Sequence, residues 1–190
     1  MQANEFLFLT GYRATGKSTV GKLLASSFSV RWMDTDAWIE HQTQSSIAEL
    51  FEQHGESHFR DWETRCLREL RDEKDEDARG DRPRGVISLG GGAILRRENR
   101  QMIRESGRCV WLTASSQTLA DRLAKDSRTA LNRPSLTGKP PTEEIDQVLT
   151  ARLPFYREVC DFEVSTEQSN AEQLATSIRH WWSQPRTESR

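Results

Sequence analysis

Eight consecutive residues restrict what this chain can become more than any other feature: Gly11-Tyr12-Arg13-Ala14-Thr15-Gly16-Lys17-Ser18 matches G-x-x-x-x-G-K-[ST] at every fixed position. A short apolar run, Phe6 to Leu9, leads into Thr10-Gly11. Beyond Lys17 the apolar residues Val20, Leu23, Leu24 and Phe28 recur at helical spacing. The pattern predicts a buried strand, a glycine loop and a helix opening directly from that loop. Glycines let backbone N–H groups wrap around phosphates, and the positive end of the following helix points at them. Lys17 would reach the β- and γ-phosphates and the Ser18 hydroxyl would ligate magnesium. Gly11, Thr15, Gly16, Lys17, Ser18 and Thr19 are thus the candidate nucleotide contacts.

The same alternation continues downstream. Val30 to Met33 reads as a strand ending at Asp34-Thr35-Asp36, and Ile47, Leu50 and Phe51 mark a helix. A further helix runs from about Ser57 past Leu70, with Trp62, Cys66 and Leu70 as its stripe. Val86 to Leu89 is a third strand entering Gly90-Gly91-Gly92, and Cys109 to Leu112 is a fourth, followed by a helix through Leu119 and Leu123. Next comes a helix with Ile145, Val148, Leu149, Leu153 and Tyr156, then a strand at Asp161 to Val164 and a last helix with Leu174, Ile178 and Trp181. Short strands alternating with helices predict an α/β fold, three layers αβα around a central parallel sheet. Right-handed crossovers bring the loops after the strands to one edge, where such sheets bind ligands. One domain is expected over 1–182, with a mobile lid at about 126–141 and a disordered tail at 183–190. The charged stretch Arg71 to Arg84 reads as a frayed helix end and a surface loop, since acids and bases alternate there.

A net charge of −2 argues against a broad nucleic-acid or membrane surface, so an anionic ligand would be met by a few placed arginines. Cys66, Cys109 and Cys160 are odd in number and far apart, which suits reduced thiols. No run of about 18 apolar residues and no leader pattern is visible, so the cytoplasm is the expected compartment. His41, His54, His58 and His180 offer no metal-ligand spacing and read as surface residues.

Four further groups carry candidate chemistry. Asp34 and Asp36, two apart at a strand end, could divide the metal and an acceptor hydroxyl between them if the chain stays extended; the alternative is a turn with helix-capping aspartates. Arg60 and Glu63 are three apart on a helix, either a surface ion pair or a guanidinium fork aimed at a carboxylate. Gly90-Gly91-Gly92 predicts either close approach of a ligand or a tight turn. Arg133 lies in the expected lid, where it could fold over the transferring phosphate, and Arg152 begins as an ordinary helix-surface arginine.

Taken in order, these motifs resemble shikimate kinase, in the nucleoside-monophosphate-kinase-like branch of P-loop proteins. The resemblance runs from about Phe6 to Val164. It rests on the glycine loop, D-T-D, I-A-E-L-F-E-Q-H-G-E-S-H-F-R-D-W-E from Ile47 to Glu63, the triple glycine, R-P-S-L-T-G-K-P and R-L-P-F-Y-R-E-V. It implies a monomeric enzyme acting on ATP and shikimate, with Mg2+ as cofactor and neither nucleic acid nor membrane as partner. Asp36 would bind acceptor hydroxyls and serve as base or orienting group, while Asp34 and Ser18 would act through magnesium. Arg60 and Arg152 would hold the shikimate carboxylate, Gly91 would contact its ring hydroxyls, and Arg133 would be the lid arginine. Transfer would go to the 3-hydroxyl, giving shikimate 3-phosphate in the route to chorismate. The chain departs from the family in its larger loop residues Tyr12-Arg13-Ala14-Thr15 and in a shorter lid between Arg128 and Arg133. The shorter lid weakens the case for Arg128 as an adenine contact, and Gln168 is the choice for the late adenine-side position. A gluconate-kinase-like enzyme and a non-enzymatic nucleotide switch are the alternatives. The switch would need neither Asp36 nor Arg152, and no N-K-x-D guanine motif is present.

Overall fold

The sheet is built around β1 (Phe6–Thr10), with β2 (Trp32–Asp34), β3 (Val86–Ser88), β4 (Gly107–Thr113) and β5 (Phe162–Ser165) in the order β2-β3-β1-β4-β5. All four pairings are parallel. The computed structural model describes residues 5–73, 82–125 and 140–185. The helices among them are α1 (Lys17–Phe28), α2 (Thr35–Thr43), α3 (Ile47–Asp72), α4 (Arg97–Ser106), α5 (Ser116–Lys125), α6 (Pro141–Val159) and α7 (Ala171–Ser183).

Side chains alternate across β1, so it feeds two cores. Phe6 and Phe8 join Cys66 and Leu67 of α3, Ile103 of α4 and Tyr156 of α6 on one face. Leu7 and Leu9 join Val20 and Leu24 of α1 and Leu174, Ile178 and Trp182 of α7 on the other. Each layer needs the other's apolar stripe, which is why a parallel sheet is covered on both sides. At the end of β4 nearest α7, buried Arg108 donates to Trp182 O (2.9 Å), and its guanidinium carbon lies 3.8 Å from the centre of the Trp181 ring. This arginine locks α7 onto the sheet.

Register decides where the loops meet. Leu9 pairs with Ser88, and Asp34 also pairs with Ser88, so β1, β2 and β3 end level. The glycine loop, the start of α2 and the triple glycine therefore leave the sheet side by side.

Several local expectations change. The chain does not stay extended beyond Asp34, because α2 starts at Thr35 with Asp34 as its cap. The two helices expected between Ile47 and Leu70 form one run broken at Gly55 (φ 77°, ψ 172°), opened by a Ser46–Glu49 capping box. Helix α4 was not foreseen. Its buried stripe includes Asn99 and Arg100, which donate to the carbonyls of Ala93 and of Ile94 and Leu95. Arg84, assigned to a surface loop, packs over the Phe6 ring with 4.8 Å to its centre, and α7 takes in Ser183 from the expected tail. His54 and His58 are not isolated: their ring centres are 4.7 Å apart, and Trp62 Nε1 donates to His58 Nε2. All three cysteines are free, with Cys66 and Cys109 buried. No described helix is long and apolar enough to cross a membrane.

Candidate active site

The glycine loop is shaped by backbone conformations that side chains disfavour. Gly11 has φ 143° and lies against Leu112 O, and Gly16 at φ 88° begins α1 in the left-handed region. Thr15 Oγ1 donates to Tyr12 O at 2.7 Å. Lys17 Nζ arches back to Gly11 O and Tyr12 O, both at 2.9 Å. The Tyr12 ring is buried against Leu119 of α5 and Ile145 of α6, anchoring the loop from behind. Thr19 is exposed in the first turn of α1.

Asp34 does two jobs with its two oxygens. Oδ2 accepts from Ser18 Oγ at 2.7 Å, and Oδ1 accepts from the backbone N–H groups of Asp36 (3.1 Å) and Ala37 (3.4 Å). Asp34 therefore caps α2, the alternative to an extended chain, while its other oxygen meets the phosphate loop at Ser18. Asp36 sits one helical step further and reaches across to the triple glycine.

Polar side chains converge on all three glycines. A Cβ on Gly90 would collide with Asp36 Oδ1 and come within 3.1 Å of Glu63 Oε1. Gly91 O accepts from Arg152 Nη1 at 2.9 Å, with the Tyr156 hydroxyl at 3.5 Å. A Cβ on Gly92 would lie 2.5 Å from the Arg60 guanidinium carbon. The carboxylates of Asp36 and Glu63 and the guanidinium groups of Arg152 and Arg60 thus converge on this segment, which has to be bare at Gly90 and Gly92. Gly90 N also donates to Thr35 Oγ1 at 2.8 Å, tying this floor to α2.

Arg60 is not a surface ornament. Its side chain is 12% exposed; Nη1 meets Glu63 Oε2 and Nη2 meets Glu56 Oε1, both at 2.7 Å. Burial pushes the Glu63 carboxyl up to about 7, although Arg60 pulls the other way. Glu63 Oε1 has no hydrogen-bond partner among the described residues. Tyr156 stacks on Trp111 with ring centres 5.2 Å apart, and burial raises its hydroxyl to about 12, so it stays a neutral donor beside Arg152.

On the far side of the loop, Gln168 is exposed in the connection after β5. Its neighbour Glu167 accepts from Ser115 and Thr118, and these bonds lower its carboxyl to about 2. Arg122 was missed from sequence. From α5 it donates to Ala14 O (3.3 Å), Thr166 Oγ1 (2.9 Å) and Thr166 O (2.7 Å), joining the glycine loop to the segment before Gln168. Nothing in its spacing sets it apart from a basic residue in the last turn of a helix. Arg128 and Arg133 lie outside the described residues, as does most of the expected lid.

Comparison with known proteins shows the family. The family model for shikimate kinase matches residues 13–182. A shikimate kinase of Rhodopirellula baltica is 42% identical over 174 residues, covering 92% of this chain and 88% of that protein. The structure of shikimate kinase from Acinetobacter baumannii in complex with shikimate superposes with a TM-score of 0.81 at 32% identity, over 95% of this chain and 93% of that one. A gluconokinase from Sinorhizobium meliloti, at 18% identity and a TM-score of 0.56 over 96% of this chain and 95% of that one, shares the fold alone. The chain belongs to the shikimate kinase family.

Proposed function

We infer that this chain transfers the γ-phosphoryl group of ATP to the 3-hydroxyl of shikimate, as a monomeric enzyme of the cytoplasm. The observation that carries the reading is the glycine floor, with Asp36 over Gly90 and the guanidinium groups of Arg152 and Arg60 on Gly91 and Gly92. A small acid bearing hydroxyls fits it. Two planar forks meet its carboxylate, and a carboxylate beside the phosphate loop meets its hydroxyls.

In this reading Asp36 orients the acceptor hydroxyl and takes its proton as attack begins. Lys17, freed from the loop carbonyls it now caps, balances charge on the transferring group. Ser18 and Asp34 would hold magnesium. Their hydroxyl and carboxylate oxygens, 2.7 Å apart at the foot of the loop, are the hard donors that ion takes alongside phosphate oxygens. When bound, that ion neutralises phosphate charge. Gly11, Thr15, Gly16 and Thr19 line the phosphates, Gln168 and Arg122 face the nucleoside side, and Arg133 is the lid arginine over the γ-phosphate. The nearby Tyr156 supports Arg152 rather than reacting.

A coupled ADP-release assay over shikimate, quinate, gluconate and nucleoside monophosphates tests the assignment. Turnover should be confined to shikimate, and faster release with gluconate would overturn it. An analogue with the carboxylate reduced to an alcohol should be a poor acceptor, and equal kcat/KM for acid and alcohol would remove the two-arginine clamp.

A further inference from the structure

Arg13, inside the phosphate loop, reaches toward α6. Its Nη2 lies 3.4 Å from Oε1 of Glu144, a buried residue in the first turn of that helix. This contact is long beside the 2.7 Å pair of Arg60 and Glu63. Arg13 Nε is buried with no hydrogen-bond partner among the described residues. The guanidinium carbon sits 5.5 Å from the centre of the pinned Tyr12 ring. A group with five N–H donors is thus held in place and under-used.

Its position matters as much as its bonding. The Arg13 backbone nitrogen and Arg152 Nη1 both lie 3.9 Å from where a Gly91 Cβ would be, and Gly11 O is 3.7 Å from it. The Arg13 backbone therefore stands on the seam between the phosphate loop and the acceptor floor, with its guanidinium one side-chain length away. Cradling the nucleotide requires the loop's N–H groups and Lys17, and leaves this guanidinium unassigned.

We propose that Arg13 recognises the transferred phosphoryl group on the acceptor, exchanging Glu144 for it, so that the site distinguishes phosphorylated from unphosphorylated acceptor. The inference rests on the acceptor reading above. A phosphate monoester carries nearly two charges and three strong acceptor oxygens, and it satisfies the guanidinium fork better than one long carboxylate contact. Glu144 has an interaction beyond this pair.

Calorimetric titration of the full chain with shikimate and, separately, with shikimate 3-phosphate decides the matter. Arg13→Gln should weaken 3-phosphate binding by about tenfold, the loss of a charge-assisted bond, and shikimate binding by under about twofold. Glu144→Gln should tighten 3-phosphate binding severalfold, and should do nothing further in an Arg13→Gln background. A structural ion pair predicts something different, with both variants weakening both ligands alike; that result, or 3-phosphate binding weakened by Glu144→Gln, overturns the proposal. Should Arg13→Gln fail to fold, Arg13→Lys replaces it: selective loss of the 3-phosphate supports the role, and unchanged binding refutes it. Shikimate turnover by the unaltered chain is measured first. Its absence overturns the acceptor reading and this inference together, whereas normal turnover with an unchanged affinity ratio overturns the inference alone.

Discussion

Arg60 lies across the α-carbon of Gly92, and a Cβ there would stand 2.5 Å from the guanidinium carbon. Gly92→Ala should therefore act as an arginine mutation without touching the arginine. The fork must swing off the floor, so kcat/KM for shikimate should fall by about 1.5–3 kcal/mol, the value of a charged hydrogen bond. KM for ATP should stay within about twofold, because the phosphate loop is untouched. Steady-state kinetics with each substrate varied in turn gives the answer; equal losses for both substrates would mean general damage instead.

Asp36→Asn should leave ATP affinity nearly intact and cut kcat by on the order of 10² or more, the usual reach of acid–base catalysis. Nucleotide titration and single-turnover rates separate the two effects. If Asp34→Asn reproduced this pattern while Asp36→Asn were silent, the roles of the two carboxylates would have to be exchanged.

Lys17→Ala should abolish transfer and also cost stability. Its ammonium bridges Gly11 O and Tyr12 O across the loop at 2.9 Å each, and losing these bonds should cost about 1–2 kcal/mol. Urea unfolding reads the second effect independently of turnover. An unchanged midpoint would show that the loop holds its shape without the lysine.

Glu63 gives a pH dependence whose sign follows from linkage. Its carboxyl titrates at about 7 in the fold against 4.5 as reference, so the folded state binds the extra proton between those values. The group's contribution to stability is complete below about 4.5 and is lost as pH rises through about 7. Glu63→Gln should flatten that decline, by of the order of 2–3 kcal/mol. Urea midpoints at pH 5 and 7.5 for both proteins test this, and parallel curves would count against it.

The glycine loop and the five strands could be read from sequence because each depends on local rules, apolar runs and a fixed motif, whereas the triple glycine left ligand approach and a tight turn both open. Helix α2 escaped notice since it is short and its cap, Asp34, also had a plausible metal role. Helix α4 escaped because Asn99 and Arg100 are buried in it, satisfied by the carbonyls of residues 93–95. Tertiary hydrogen bonding cannot be seen in a hydrophobic pattern. Arg60 could be nominated but not decided, since Gly92 lies 32 positions away and only the fold shows that the two touch. Arg122 and the Arg13–Glu144 pair were invisible for the same reason, joining segments more than a hundred residues apart.

The clasp between Arg108 and the carbonyl of Trp182 has a consequence for how the protein is made. Strand β1, the phosphate loop and α1 leave the ribosome well before α7, yet α7 roofs one flank of that unit. Until then Leu7, Leu9, Val20 and Leu24 have no lid over them, and the nascent chain presents an oily flank for a chaperone to shield. Nucleotide binding should therefore switch on only once α7 has emerged. A chain stopped at residue 170 should be aggregation-prone and fail to bind a fluorescent ATP analogue; normal binding by that fragment would show that the N-terminal unit matures without its roof.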